Sequence, residues 1–104
     1  MHTLVFGVYK KEGVSQEEFL GHWRGEHAEI AARLPKVREY LIMPVTESAE
    51  AREPVPDGFV LMHFDSKEDA ESALASPEMA AAAEDAGNFA GHFSTFHVDT
   101  KKVV

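Results

Sequence analysis

The stretch Thr3–Lys10, TLVFGVYK, is apolar on both of its phases. Leu4, Phe6 and Val8 fall on one phase, and Val5, Gly7 and Tyr9 on the other. Its β-branched and aromatic content marks it as a strand, and successive strand side chains point to opposite faces. A strand of this kind needs cover on both sides. Phe59–Phe64, FVLMHF, has the same character. Any fold for this chain must therefore account for two covered faces.

The rest of the pattern narrows the choice. After the first strand, Ser15 and Glu18 are spaced as a capping box, and a helix is expected from Gln16 to Leu34, stopped by Pro35. Val37–Thr46 is a second strand, in which Pro44 signals an edge position or a bulge near its end. Glu47–Gly58, ESAEAREPVPDG, is polar and acidic and is expected to be a long solvated loop before the third strand. Ser66 caps a second helix, Lys67 to about Leu74, and Ser76-Pro77-Glu78 restarts it with proline in its first turn. MAAAAEDAG continues that helix as a closely packed segment ending at Gly87, and HFSTFHVDTKKVV, 92–104, is the fourth strand.

This order is βαββαβ, an α+β arrangement of the ferredoxin-like sandwich type, with a four-stranded antiparallel sheet and both helices on one face. Right-handed crossovers leave a place beside the first strand for the third. The helices cover only one side. The second apolar phase then implies a second copy of the chain, packed sheet to sheet as a two-fold homodimer, or else a monomer that exposes a few apolar side chains. The 104 residues suit one domain, 1–104.

Charge and composition exclude several functions. Asp and Glu number 18 against 10 Lys and Arg, a net charge of −8, which argues against binding nucleic acid or an anionic membrane surface. There is no cysteine, so disulfides, thiolate nucleophiles and cysteine metal sites are excluded. The N-terminal apolar run is too short to span a membrane and lacks signal-peptide features, so a cytoplasmic location is expected. No glycine-rich phosphate loop is present, and the histidine spacings match no metal motif; no cofactor and no metal are expected. Ser94 and Thr95 lie near His92 and His97 without forming an ordered triad.

One histidine stands apart. Phe19, Trp23, His27, Ile30 and Leu34 share a helix face, so His27 falls on the apolar stripe. His22, five residues earlier, would lie about 140° away on an α-helix and reads as a solvated flank residue. His2, His63, His92 and His97 read as structural. His27 lies roughly 10 Å back from the helix end, and Tyr40 roughly 10 Å along the next strand. The two should stand at similar depth between helix and sheet, with Trp23 one turn away as a wall. The pair is either a plain core hydrogen bond or an acid/base site that can donate, accept and shuttle a proton. Phe19 and Trp23 on their own read as core.

Lys10–Ile42, KKEGVSQEEFLGHWRGEHAEIAARLPKVREYLI, resembles the core signature of the EthD family. The resemblance rests on Glu18-Phe19, Trp23, His27-Ala28, the Leu34-Pro35 helix stop and Tyr40, and it covers about a third of the chain. It implies a dimeric α/β barrel with a small-molecule pocket between helices and sheet. His27 and Tyr40 would then be catalytic, and Trp23 and Phe19 would line the substrate pocket. The activity implied is cofactor-free acid/base or oxidoreductase-type chemistry, such as an isomerase's, on a small apolar, aromatic or lactone catabolite. The alternative is a non-catalytic ligand-binding or accessory protein of a xenobiotic-degrading oxygenase system. A third reading is a structural dimer in which His27 is only a core residue.

Overall fold

In the computed structural model, which describes residues 1–104, the doubly apolar strand takes the centre of the sheet. Strand β1 (His2–Lys10) pairs with β3 (Gly58–Phe64) on one side and β4 (Ala90–Val98) on the other, while β2 (Glu39–Pro44) lies outside β3. All three pairings are antiparallel, giving the order β2-β3-β1-β4 of a ferredoxin-like sheet. Pro44 closes β2, an edge strand where its missing N–H costs little. The fourth strand ends at Val98, so residues 99–104 add nothing to it.

Helices occupy one face. The capping box at Ser15 forms as expected and opens α1 (Gln16–His22), which passes through a π-helical turn (Trp23–His27) into α2 (Ala28–Ala31). The first helix therefore ends three residues before Leu34, and Lys36, at φ 64, takes the left-handed backbone of the turn toward β2. Helices α3 (Lys67–Leu74) and α4 (Pro77–Ala86) start at Ser66 and Ser76, whose side chains accept from the N–H groups of Asp69 and Met79. Gly87 caps α4 with φ −60, so its freedom at positive φ is not used.

The faces of the sheet divide as the phases do. Leu4, Val8, Val60, Met62 and Phe64 are buried beneath the helices with Phe19, Trp23 and Phe89. Each such burial stabilises by roughly 1.5–3 kcal/mol. On the other face, the register aligns Leu41, Leu61, Val5 and Phe96 in one row across all four strands. Phe96 is 55% exposed and Leu41 42%. Met43 and Phe59 sit side by side in the next row, also exposed. The loop between β2 and β3 is anchored at its end: the Asp57 N–H donates to Val8 O at 2.8 Å, and its carboxylate accepts from Lys10 N at 2.7 Å.

Candidate functional site

The π-helical turn decides the local geometry. On an α-helix, positions five apart diverge, but a π turn bonds i to i+5 and brings such residues onto one side. His22 precedes the turn and His27 ends it, so both rings reach Asp85 on α4. His27 Nδ1 lies 2.8 Å from Asp85 Oδ2, and His22 Nε2 lies 3.0 Å from each carboxylate oxygen. The expectation that His22 is a solvated flank residue is thus overturned, because it assumes an unbroken α-helix. Asn88 Nδ2 donates to Asp85 Oδ1 at 3.3 Å. The Phe89 ring stands edge-on to His27 at 4.9 Å and tilted to His22 at 5.3 Å, which holds both imidazoles in place.

The carboxylate also fixes tautomers. An ionised Asp only accepts, so the ring nitrogens facing it must donate. Neutral His27 then carries its hydrogen on Nδ1 and its lone pair on Nε2. Burial pushes the Asp85 carboxyl up, but hydrogen bonds from His27 and His22, with the charge those rings can carry, outweigh it and hold it below its ordinary value. Asp85 stays ionised and keeps His27 oriented, the role an acidic partner plays beside a histidine base. Every buried side-chain nitrogen and oxygen has a partner. His27 Nε2 has none within the protein, so it is an accessible atom of a residue that is only 6% exposed.

The space it opens to is a cavity of about 210 Å³ between helices and sheet. Trp23, His27 and Tyr40 line it, as do Ala82, Ala83 and Ala86 of α4. Tyr40 faces the helices because its cross-strand partner is the buried Met62. His27 and Tyr40 therefore share one cavity, but they do not bond to each other: the His27 partner is Asp85, and the Tyr40 hydroxyl has no protein partner. Burial pushes the Tyr40 phenol up to about 12, so it stays a neutral donor across the working pH range. Trp23 forms part of the wall, and its indole edge lies over Gly58, where a Cβ would come within 2.5 Å of the ring. Phe19 does not line the cavity. It is fully buried behind Trp23, ring centroids 5.3 Å apart, because its position on α1 precedes the π turn and points at Phe89.

Sequence reasoning misses two contributions from α4. One is Asp85. The other is the cavity itself: close packing is expected of MAAAAEDAG, whereas Met79, Ala82, Ala83 and Ala86 fall at i, i+3, i+4 and i+7 and line open space, three of them with no more than a methyl group. Both signals are present in the chain, a carboxylate beside an apolar stripe and a stripe made of alanine.

Comparison with known proteins agrees with this architecture. The EthD domain model matches residues 11–92. The chain belongs to the EthD family. An ethyl tert-butyl ether D (EthD) family protein from Bacillus halodurans C-125 superposes with a TM-score of 0.76 at 19% identity, over 97% of this chain and 100% of that one. A dimeric protein of ferredoxin-like fold from Bacteroides fragilis gives 0.72 at 15% identity, over 95% of each chain. A mutant form of SnoaB, a cofactor-independent oxygenase from Streptomyces nogalater, gives 0.67 at 14%, over 99% of this chain and 95% of that one. At these identities the likeness concerns the fold. No curated protein sequence matches the chain. No helix is long and apolar enough to cross a membrane.

Proposed function

We propose that this EthD-family chain is a small-molecule enzyme whose acid/base chemistry is carried by His27 and Tyr40 without a cofactor. The observation that carries the reading is the His27 ring, tied through Nδ1 to Asp85 and left with a free Nε2 in a chamber that is otherwise apolar. Nε2 removes a proton from a carbon beside a carbonyl, and the C–H electron pair moves into the new C=C bond of an enolate. The Tyr40 hydroxyl donates to the enolate oxygen. Return of the proton to another carbon of the conjugated system completes an isomerisation with atoms and charge balanced. Asp85 acts as a positioning residue, and Trp23 and the other apolar walls give the reacting groups a mostly apolar surrounding.

An apolar recess of about 210 Å³ that reaches the surface at the exposed Ala83 is in keeping with a binding role. The outer row Leu41–Leu61–Val5–Phe96, exposed at its two ends and half-buried between them, is read as the contact between two copies, giving a homodimer, as in the dimeric structural neighbour. A cytoplasmic catabolic setting fits the reading.

His27→Ala tests the site. Trp23 is the chain's one tryptophan and lies in the cavity wall, so its emission reports occupancy. A small molecule that co-purifies with the wild type, seen by native mass spectrometry, should be lost in the variant while the circular-dichroism spectrum stays native. Unfolding of the variant would make His27 structural. A ligand retained at full affinity would reduce the site to a binder in which His27 has no part. For the dimer, light scattering of Phe96→Asp should show monomers where the wild type shows dimers; a monomeric wild type would remove the interface.

A further inference from the structure

The walls of the cavity say more than that something small and apolar enters. Of its 13 lining residues, none is Lys, Arg, Asp or Glu. The one ring there that can carry positive charge, His27, already has a carboxylate partner in Asp85 behind it. A ligand carboxylate would enter with no unpaired cation to meet it, in a chain whose net charge is −8. A neutral oxygen is served better, since the Tyr40 hydroxyl is a donor with no protein partner.

Size is set by α4. An apolar cavity of ~150 Å³ accepts benzene, so about 210 Å³ holds one ring with a short substituent. The alanines at 82, 83 and 86 determine that volume: any longer side chain on this stripe projects into the chamber. Ala82 and Ala86 are buried, 5% and 3% exposed, whereas Ala83 is exposed and so stands at the mouth.

We propose that the cavity selects a neutral, single-ring carbonyl compound, with the Ala82–Ala83–Ala86 stripe as its size filter and the lack of an unpaired cation as its filter against carboxylates. This rests on the reading of the cavity as the working site and goes beyond it by naming the ligand class. The class excludes acids of the same shape, two-ring compounds and phosphorylated molecules.

The test uses ¹⁹F NMR with two probes that differ only in the group of interest, 4-fluoroacetophenone and 4-fluorobenzoate. The ketone is expected to bind saturably to the wild type and the benzoate at least ~100-fold more weakly, in line with the penalty for burying an unpaired charge. Ala83→Leu should weaken ketone binding ~10-fold or more while leaving the fold intact, because position 83 is exposed. Ala82→Val fills the chamber from the buried side and should act in the same direction. Equal affinity for the two probes, still sensitive to Ala83→Leu, would overturn the ligand class and leave the cavity as the site. Ketone binding indifferent to both substitutions would place the ligand elsewhere and overturn both readings. Absence of ketone binding would overturn the class alone, because loss of a co-purified ligand in His27→Ala judges the site separately.

Discussion

The α1–π–α2 segment and α4 pack side by side over the sheet, and they build the cavity by opposite means. The first supplies bulk and ring nitrogens: Trp23 as wall, His27 as a lining imidazole tied to Asp85, His22 as a second donor to the shared carboxylate. The second supplies a carboxylate and an absence of bulk, in Asp85 and its alanine stripe. Reactive side chains need an element that aims them, and a ligand needs an element that stays out of the way. Here the two tasks fall to different helices, so substitutions on them should fail differently.

The largest difference is expected from truncation. Trp23 is 1% exposed and packed against Phe19, Phe89 and Gly58, so Trp23→Ala should cost about 3–5 kcal/mol by urea unfolding. Ala82→Gly on α4 removes one methyl from a surface already facing space and should cost only about 1 kcal/mol, mostly helix propensity. Comparable losses at the two positions would mean that α4 is as tightly packed as its neighbour and that the chamber is filled.

Asp85 comes next, because it joins the two walls. Asp85→Ala leaves the Nδ1–H of a buried His27 without its acceptor, a loss of about 1–3 kcal/mol near neutral pH. Asp85→Asn keeps an acceptor oxygen and should lose less. The acid limb separates charge from hydrogen bonding. The folded Asp85 carboxyl sits below its unfolded value, so its contribution is complete above about pH 4 and is lost as pH falls through the folded value. The fall in stability below about pH 4 should therefore be shallower in Asp85→Asn than in the wild type. Identical acid limbs would show that the two histidines do not hold the carboxylate in its ionised form.

The same contrast between walls explains what is legible from sequence. The sheet order follows from the period of TLVFGVYK and FVLMHF and from the two capped helices, because burial imposes those patterns on residue type. The apolar outer row follows as well, since helices on one side cannot cover both phases of a strand. His27 is legible because an imidazole on an apolar stripe breaks a rule. Its partner is not. Depth arguments point to Tyr40, which does share the cavity, but the hydrogen bond goes to Asp85, across a helix pair whose rotation no single-helix pattern encodes. The flank position expected of His22 applies α-helical geometry through a segment that winds as a π turn. The pocket position expected of Phe19 comes from the family resemblance, whereas its place on the apolar stripe reads as core; the stripe specifies a face, and Phe19 packs behind Trp23 on it.

The smallest effect at neutral pH, and the one most sensitive to the environment of the cavity, belongs to Tyr40. Its hydroxyl has no protein partner, so Tyr40→Phe should change stability by less than about 0.5 kcal/mol at pH 7. At high pH the two chains should part. The folded phenol ionises only at about 12, against an ordinary value of 10.0, because burial disfavours the phenolate. Between those values the unfolded chain has released a proton that the folded chain keeps, so folding stability falls as pH rises and levels off above the folded value. Two units correspond to at most roughly 2–3 kcal/mol. Urea midpoints at pH 7 and pH 11 should therefore fall further for the wild type than for Tyr40→Phe, and the phenolate absorbance step near 12 should vanish in the variant. If both proteins lose stability equally, burial does not hold the Tyr40 phenol above its ordinary value, and the donor assigned to the substrate oxygen loses its apolar surroundings.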